Sequence, residues 1–299
     1  MDDLPGPSAG SLFEGFEPLQ IATSGATINL VRGGSGPPLL LLHGWPETLV
    51  QWHRIAPALA ERFTVVATDL RGHGDSSKPP GGEGHRNYAK RVMAQDQVEV
   101  MAALGFDRFH LAGHDRGARV AHRLALDHPG RVERLALLDI APTLSVVSSL
   151  TQAVATGAYH WFFLIQPAPL PETLIGGDPE FYLRWHLRSW SGGEDAFFDP
   201  RAVAEYIRCF SEPATIHATC EDLRALMSID LEHDRANLDR RIECPLFVLW
   251  GSKFRSGDLR ATWLDRARDV SGHALDCGHF LAEERPDETA AALLSFFSS

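Results

Sequence analysis

The sequence predicts an α/β protein built on a mostly parallel sheet, and three observations support this fold class. Continuous apolar runs at residues 37–42 and 63–68 are typical of strands buried on both faces of a parallel sheet. Segments with helical spacing of apolar residues separate such runs along the chain. A short apolar strand at residues 109–114 leads straight into a helix, and this alternation predicts right-handed crossovers.

The remaining elements are predicted in chain order. Alternating residues around the Ser24-Gly25 turn predict a β-hairpin over residues 16–32. Further strands are predicted over 132–139, 246–250 and around 273–276, and helices over 88–104, 115–128 and 286–297. Residues 145–240 break the alternation because they are helix-like and dense in aromatic side chains. We therefore predict a core domain, residues 1–144 and 241–299, that carries residues 145–240 as a helical cap.

Composition excludes several classes of partner. The formal charge of −11 over 299 residues argues against a nucleic-acid surface, which would be basic. No apolar stretch approaches the ~20 residues that span a bilayer, and the acidic start is not a secretory signal. The four cysteines lack metal-ligand spacing. We predict a cytoplasmic protein that binds neither nucleic acid nor membrane.

The motif Gly113-His114-Asp115-Arg116-Gly117 has the spacing of a nucleophile elbow, with aspartate where serine is usual. A carboxylate that attacks an acyl carbon gives an anhydride, whereas attack on a saturated carbon gives an ordinary ester. The positive end of the helix dipole keeps Asp115 ionised, as a nucleophile must be. Asp115 therefore indicates a reaction at a saturated carbon. The alternative is that Asp115 only caps the helix.

Hydrolysis of such an ester needs a base and an acid that orients it. His279 lies after the last predicted strand and before the final helix, which makes it the candidate base. Asp139 ends the strand that follows the elbow helix and is the preferred acid. Asp258, in a polar loop, is the alternative, and Asp69 is expected to form a loop pair with Arg71.

Two arginines indicate the charge of the substrate. Arg116 and Arg119 lie three residues apart in the first turn of the elbow helix, where two cations repel each other and the dipole. A substrate carboxylate is the expected counter-ion, and structural ion pairs with core or cap acids are the alternative. The backbone amides of Trp45 and Arg116 are the expected oxyanion donors. Trp45-Pro46 is a candidate cis bond.

These motifs resemble the α/β-hydrolase superfamily and, within it, the fluoroacetate (haloacetate) dehalogenases. The most specific matches are residues 113–119, Asp139 and residues 277–284; residues 69–74 are shared with epoxide hydrolases. The resemblance implies Asp115 as nucleophile, His279 as base, Asp139 as its partner, and Arg116 with Arg119 as a carboxylate clamp. It further implies His160 and Trp161 as donors to a departing halide, a homodimer, a small anionic haloacid substrate, and no metal or organic cofactor.

One residue departs from the family pattern. Leu223 stands where these dehalogenases usually have a tyrosine, so one donor to the halide is missing. We expect chloroacetate, bromoacetate or a larger 2-haloacid to react more readily than fluoroacetate. An epoxide hydrolase with acids drawn from Tyr159, Tyr182 and Tyr206 is the first alternative. Arg116 speaks against it, because those enzymes typically carry tryptophan at this position. The second alternative is a non-catalytic receptor for small acids.

Overall fold

The computed structural model describes residues 12–299 and confirms the predicted fold class. One eight-stranded sheet has the order β1-β2-β4-β3-β5-β6-β7-β8. The strands are β1 (Glu17–Ala22), β2 (Thr27–Gly33), β3 (Pro38–Leu42), β4 (Thr64–Thr68), β5 (Phe109–His114), β6 (Val132–Leu138), β7 (Leu246–Gly251) and β8 (Val270–Leu275). The β1–β2 hairpin is antiparallel and pairs antiparallel with β4, whereas all pairings from β4 to β8 are parallel.

Helices cover both faces of the sheet. They are α1 (Ala56–Ala60), α2 (Lys90–Ala103), α3 (Asp115–Asp127), α4 (Thr143–Ser148), α5 (Gln152–Gly157), α6 (Tyr159–Leu164), α7 (Leu170–Gly176), α8 (Pro179–Trp190), α9 (Pro200–Phe210), α10 (Pro213–Ala225), α11 (Leu231–Arg235), α12 (Leu281–Glu284) and α13 (Pro286–Phe297). The predicted elbow and closing helices are therefore present, the former ending one residue before His128.

The leucines of β3 show how the sheet divides the core. Leu40 and Leu42 face one side and pack with residues of α2 and α3. Leu39 and Leu41 face the other side and pack with α1, α13 and the segment between β6 and β7. All four are fully buried, as the continuous apolar run predicts for a central parallel strand. The parallel pairing of β3 with β5 and of β5 with β6 places the carboxyl ends of these strands at one edge of the sheet.

The segment between β6 and β7 contains eight helices, α4 to α11, from Thr143 to Arg235, separated by loops and a π-helical turn. A single π-helical turn, Leu226–Asp230, joins α10 to α11. Turns of this type are rare and often occur beside functional sites. The division of the chain into a core domain and a cap domain at residues 145 and 240 stays a prediction. Within residues 12–299, no helix is both long and apolar enough to cross a membrane.

Candidate active site

Asp115 lies at a sharp corner between β5 and α3. Its φ is +43°, a left-handed conformation that is uncommon for a residue other than glycine and often marks a functional site. A Cβ on Gly113 would lie 2.6 Å from the Gly117 carbonyl oxygen, and one on Gly117 would lie 2.4 Å from that of Leu42. The flanking glycines are therefore required because the backbone packs closely beneath the aspartate.

The side chain of Asp115 is half-buried and lies beside the end of β3. Its Oδ2 accepts the backbone N–H of Trp45 at 3.2 Å, and the Trp45-Pro46 bond is cis. Burial alone raises the pKa of this carboxyl, but the charges of His279 and Arg116 more than offset it and hold the pKa well below its usual range. Asp115 is thus ionised at neutral pH.

His279 and Asp139 form a buried pair next to this carboxylate. His279 Nδ1 lies 2.5 Å from Asp139 Oδ2, and Asp139 Oδ1 accepts the Gly251 N–H at 3.1 Å. Among residues 12–299, no side chain or backbone group binds the buried Nε2 of His279. The backbone N–H of His279 donates to the Trp190 carbonyl at the end of α8 (3.0 Å). The ring is therefore fixed through Nδ1, which leaves Nε2 available to a proton from water.

Asp139 also has a left-handed φ of +53°. Arg255 donates to its Oδ2 (3.4 Å) and to its carbonyl oxygen (3.3 Å). Sequence reasoning missed Arg255 because its loop is polar and gives no pattern. The alternative acid, Asp258, is exposed and bonds Arg260.

The expected loop pair of Asp69 with Arg71 is wrong. Arg71 instead binds Asp96, with Nε 2.6 Å from Oδ2. Asp69 accepts backbone N–H groups of Leu49 (2.8 Å) and Asp75 (2.9 Å). The reason is that the Asp69 side chain closes two neighbouring loops, while the longer Arg71 side chain reaches α2.

A second buried histidine–carboxylate pair lies behind the first, and sequence reasoning missed it. His114 Nε2 lies 2.8 Å from the carbonyl oxygen of His279, so this nitrogen carries a proton. His114 Nδ1 faces two acceptors at 3.4 Å: Glu47 Oε2 and Gln51 Oε1, the latter already accepting the Gly44 N–H. Burial lowers the pKa of His114, but Glu47 outweighs it and raises that pKa above its ordinary value. The raised pKa favours the charged form of this ring beneath Asp115.

The guanidinium of Arg116 is engaged by an internal acid. Its Nε donates to Asp222 Oδ2 on α10 at 2.6 Å, and Nη2 donates to the Asp222 backbone carbonyl oxygen at 3.2 Å and lies 2.5 Å from Oδ2. Part of the Arg116 guanidinium therefore forms a structural ion pair, which was the alternative to binding a substrate carboxylate. One nitrogen, the buried Nη1, is bound by no group in the described part of the chain.

Arg119 binds no carboxylate of the described residues 12–299. Its Nη1 donates to the Thr143 hydroxyl, and its guanidinium carbon lies 5.0 Å from the centre of the Trp161 ring. Burial lowers the pKa of Arg119 to about 9 and that of Arg116 to about 10. The buried Nε of Arg119 bonds nothing between residues 12 and 299. The two arginines together thus retain two donors that can bind an anion.

His160 and Trp161 lie on α6. The His160 ring stacks on Trp45 with centroids 5.9 Å apart and also contacts Trp190 at 4.9 Å. Burial holds the pKa of His160 well below its ordinary value, so the ring is neutral and carries one N–H. Leu223 is buried and apolar. In the stretch 12–299, no group of three or more His, Cys, Asp or Glu side chains is placed to hold a metal ion.

Known proteins resemble this chain over most of its length. The alpha/beta hydrolase fold family matches residues 37–286. The chain is 46% identical over 290 residues to a fluoroacetate dehalogenase from Burkholderia sp., covering 96% of this chain and 95% of that protein. It is 37% identical to a soluble epoxide hydrolase from Corynebacterium sp. (strain C12), over 93% of this chain and 96% of that one.

A crystal structure extends the comparison to three dimensions. A protein of the α/β-hydrolase class from Nostoc sp. PCC 7120 superposes with a TM-score of 0.93 at 61% identity, covering 95% of this chain and 98% of that chain. An elbow nucleophile with a histidine–aspartate pair at the carboxyl edge of a parallel sheet defines a hydrolase of this class. The chain belongs to the α/β-hydrolase superfamily and, within it, to the haloacetate dehalogenase family.

Proposed function

We propose that this protein hydrolyses the carbon–halogen bond of a short 2-haloacid to the hydroxyacid and halide. The observation that carries the proposal is the placement of an ionised aspartate on the elbow, next to two arginines with unpaired buried N–H donors. The 46% identity to a fluoroacetate dehalogenase supports it. A haloacid has the two features that this arrangement fits: a tetrahedral carbon and a carboxylate.

In the first step, an oxygen of Asp115 attacks the halogen-bearing carbon. A carbon–oxygen bond forms as the carbon–halogen bond breaks, and the halide takes the electron pair. The unpaired Nη1 of Arg116 and Nε of Arg119 bind the substrate carboxylate and orient the carbon. His160 and Trp161 are the proposed donors to the leaving halide, whose charge grows in the transition state.

In the second step, water hydrolyses the aspartyl ester. His279 Nε2 takes a proton from the water as the oxygen attacks the ester carbonyl, and Asp139 stabilises the imidazolium. The Trp45 N–H, which donates to Asp115 Oδ2, remains in place to stabilise the oxyanion, with the Arg116 N–H as the second proposed donor. Collapse of the tetrahedral intermediate releases the hydroxyacid and restores Asp115.

Leu223 is the proposed determinant of halide preference. A buried leucine offers no donor where a tyrosine would supply one, and a missing donor costs about 1–3 kcal/mol. Fluoride depends most on such donors because it is the poorest leaving group of the three halides. We expect chloroacetate and bromoacetate to release halide faster than fluoroacetate, and Leu223→Tyr to improve fluoroacetate most. Equal or greater activity of the unchanged protein on fluoroacetate contradicts this role.

The proposed function is tested by halide release from chloroacetate with the unchanged protein and with Asp115→Asn. We expect the variant to lose more than about 10⁴-fold of the rate, because the amide is not a nucleophile. Incubation in ¹⁸O-labelled water for one turnover should place the label in Asp115 and not in the product, since water attacks the ester carbonyl. Label in the first hydroxyacid released contradicts the covalent mechanism.

Epoxide hydrolysis by the same nucleophile is the second candidate, favoured by the 37% identity to a soluble epoxide hydrolase. It needs acidic hydroxyls over the opening ring. Tyr206 donates to Glu283 (2.7 Å) and Tyr159 lies 3.3 Å from His186, but the buried Tyr182 hydroxyl has no partner within residues 12–299. Diol formation from a neutral epoxide, lost in Tyr182→Phe, would favour this function over dehalogenation.

The assembly of the protein is proposed from the family resemblance, and its location from the four scattered free cysteines, which are typical of a reducing compartment. We infer a homodimer in the cytoplasm. Light scattering behind a size-exclusion column should give twice the 32.9 kDa of one chain. A monomer at micromolar concentration contradicts the dimer.

A further inference from the structure

The ion pair with Asp222 reduces the net positive charge that Arg116 can offer to a substrate carboxylate. A guanidinium that is fully neutralised by an internal carboxylate is a weak anchor for an external anion. Asp222, however, is shared: its Oδ1 binds the ammonium of Lys90, and its Oδ2 binds Arg116. Lys90, Asp222 and Arg116 are 4%, 1% and 4% exposed, so solvent screens none of them.

Lys90 has the surroundings of an ammonium ion. Its Nζ meets three acceptors, Asp222 Oδ1, the Tyr88 carbonyl oxygen (3.5 Å) and Met93 Sδ (3.3 Å). Three acceptors match the three donors of an ammonium, whereas a neutral amine has only two hydrogens. Burial and the charge of Arg116 lower the pKa of Lys90 well below its ordinary value. Direct contact with Asp222 Oδ1 acts in the opposite direction and favours the ammonium form.

The position of Lys90 at the start of a helix does not explain why a cation is buried there. Lys90 is the first residue of α2, and Arg116 follows the first residue of α3, so both cations lie at positive ends of helix dipoles. The neighbouring Asp230, from the π-helical turn, accepts the Lys90 backbone N–H at 2.8 Å and does not bind the ammonium. Burial raises the pKa of Asp230.

We propose that Lys90 is a positioning residue that restores positive charge to the substrate-carboxylate site by sharing Asp222 with Arg116. The shared carboxylate leaves one net positive charge on the three groups. Arg116 is held in one orientation by Asp222, while its Nη1 keeps the charge needed to bind an anion. The inference rests on the proposed function, since it assigns this charge to the carboxylate of a haloacid.

The test compares binding of acetate, an unreactive carboxylate, with binding of acetamide, its neutral analogue of similar size. Lys90→Met should weaken acetate by about tenfold and leave acetamide within about twofold. Lys253→Met, which removes an exposed lysine elsewhere, is the matched control and should change neither. Equal weakening of both ligands, or no weakening of acetate, overturns the role of Lys90.

Asp222→Asn should change the affinity for acetate in the opposite direction. It leaves two uncompensated cations, so acetate should bind more tightly while halide release slows because Arg116 loses its anchor. The double variant Lys90→Met with Asp222→Asn should return acetate affinity to within about threefold of the unchanged protein. Weaker acetate binding by Asp222→Asn overturns the proposal even if Lys90→Met does not fold.

The same measurements separate this inference from the proposed function. An unchanged protein that neither binds acetate nor releases halide from chloroacetate contradicts the proposed function itself. An unchanged protein that does both, with Lys90→Met equal to it in acetate affinity, contradicts only the charge-sharing role.

Discussion

The site contains two buried histidine–carboxylate pairs that differ in what the second ring nitrogen meets. In the His279–Asp139 pair, Nδ1 is held by the carboxylate, and Nε2 has no partner among residues 12–299. In the His114–Glu47 pair, Nε2 donates to the His279 carbonyl, and Nδ1 faces the carboxylate at 3.4 Å. A ring with one nitrogen unengaged can exchange a proton with water, whereas a ring bound on both sides can only orient its neighbours and supply charge.

Of the substitutions that distinguish the two pairs, His279→Gln is expected to have the largest effect on turnover. Loss of the base should reduce steady-state turnover by about 10⁴-fold, the upper end for general base catalysis, while ester formation persists. One equivalent of halide per active site should therefore be released, and mass spectrometry should detect the carboxyalkyl group of the substrate esterified to Asp115. Steady turnover in this variant would contradict the role of His279 as base.

A smaller effect is expected from Glu47→Gln. The variant removes the carboxylate that raises the pKa of His114, but the His114 Nε2–H can still donate to the His279 carbonyl. We expect turnover to fall by about tenfold and the His114 pKa, followed by NMR of the imidazole, to decrease. Exposed Glu83→Gln is the matched control. A loss as large as that of His279→Gln would remove the distinction between the two pairs.

The smallest effect is a pH dependence that should be nearly absent. The pKa of Asp115 lies well below its usual range, so the nucleophile stays ionised as pH falls through the ordinary carboxyl pKa near 4. The single-turnover rate of halide release by the unchanged protein should therefore change less than about twofold between pH 7 and pH 4.5. A decline centred above pH 4.5 would contradict an Asp115 carboxyl that is held ionised by His279 and Arg116.

The sequence was sufficient for the groups that lie at strand ends. Asp115, Asp139 and His279 follow β5, β6 and β8, and the carboxyl ends of parallel strands meet at one edge, so their proximity could be predicted. Asp222 and Glu47 could not be assigned in this way. Asp222 lies 106 residues beyond Arg116 on a helix, and Glu47 contacts His114 only after β3 and β5 pair. Such contacts depend on tertiary packing and leave no local pattern.

The hydrogen bond from the His279 backbone to Trp190 has a consequence for substrate exchange. It joins the loop that carries the base to the carboxyl end of α8 at 3.0 Å, and a Cβ on Gly278 would lie only 2.5 Å from that same carbonyl oxygen. A hinge motion of this end of α8 would also displace the backbone of His279 and so misalign the proposed base. We therefore expect haloacids to enter and products to leave past other helices, with the Trp190 end of α8 acting as a stationary wall throughout the catalytic cycle.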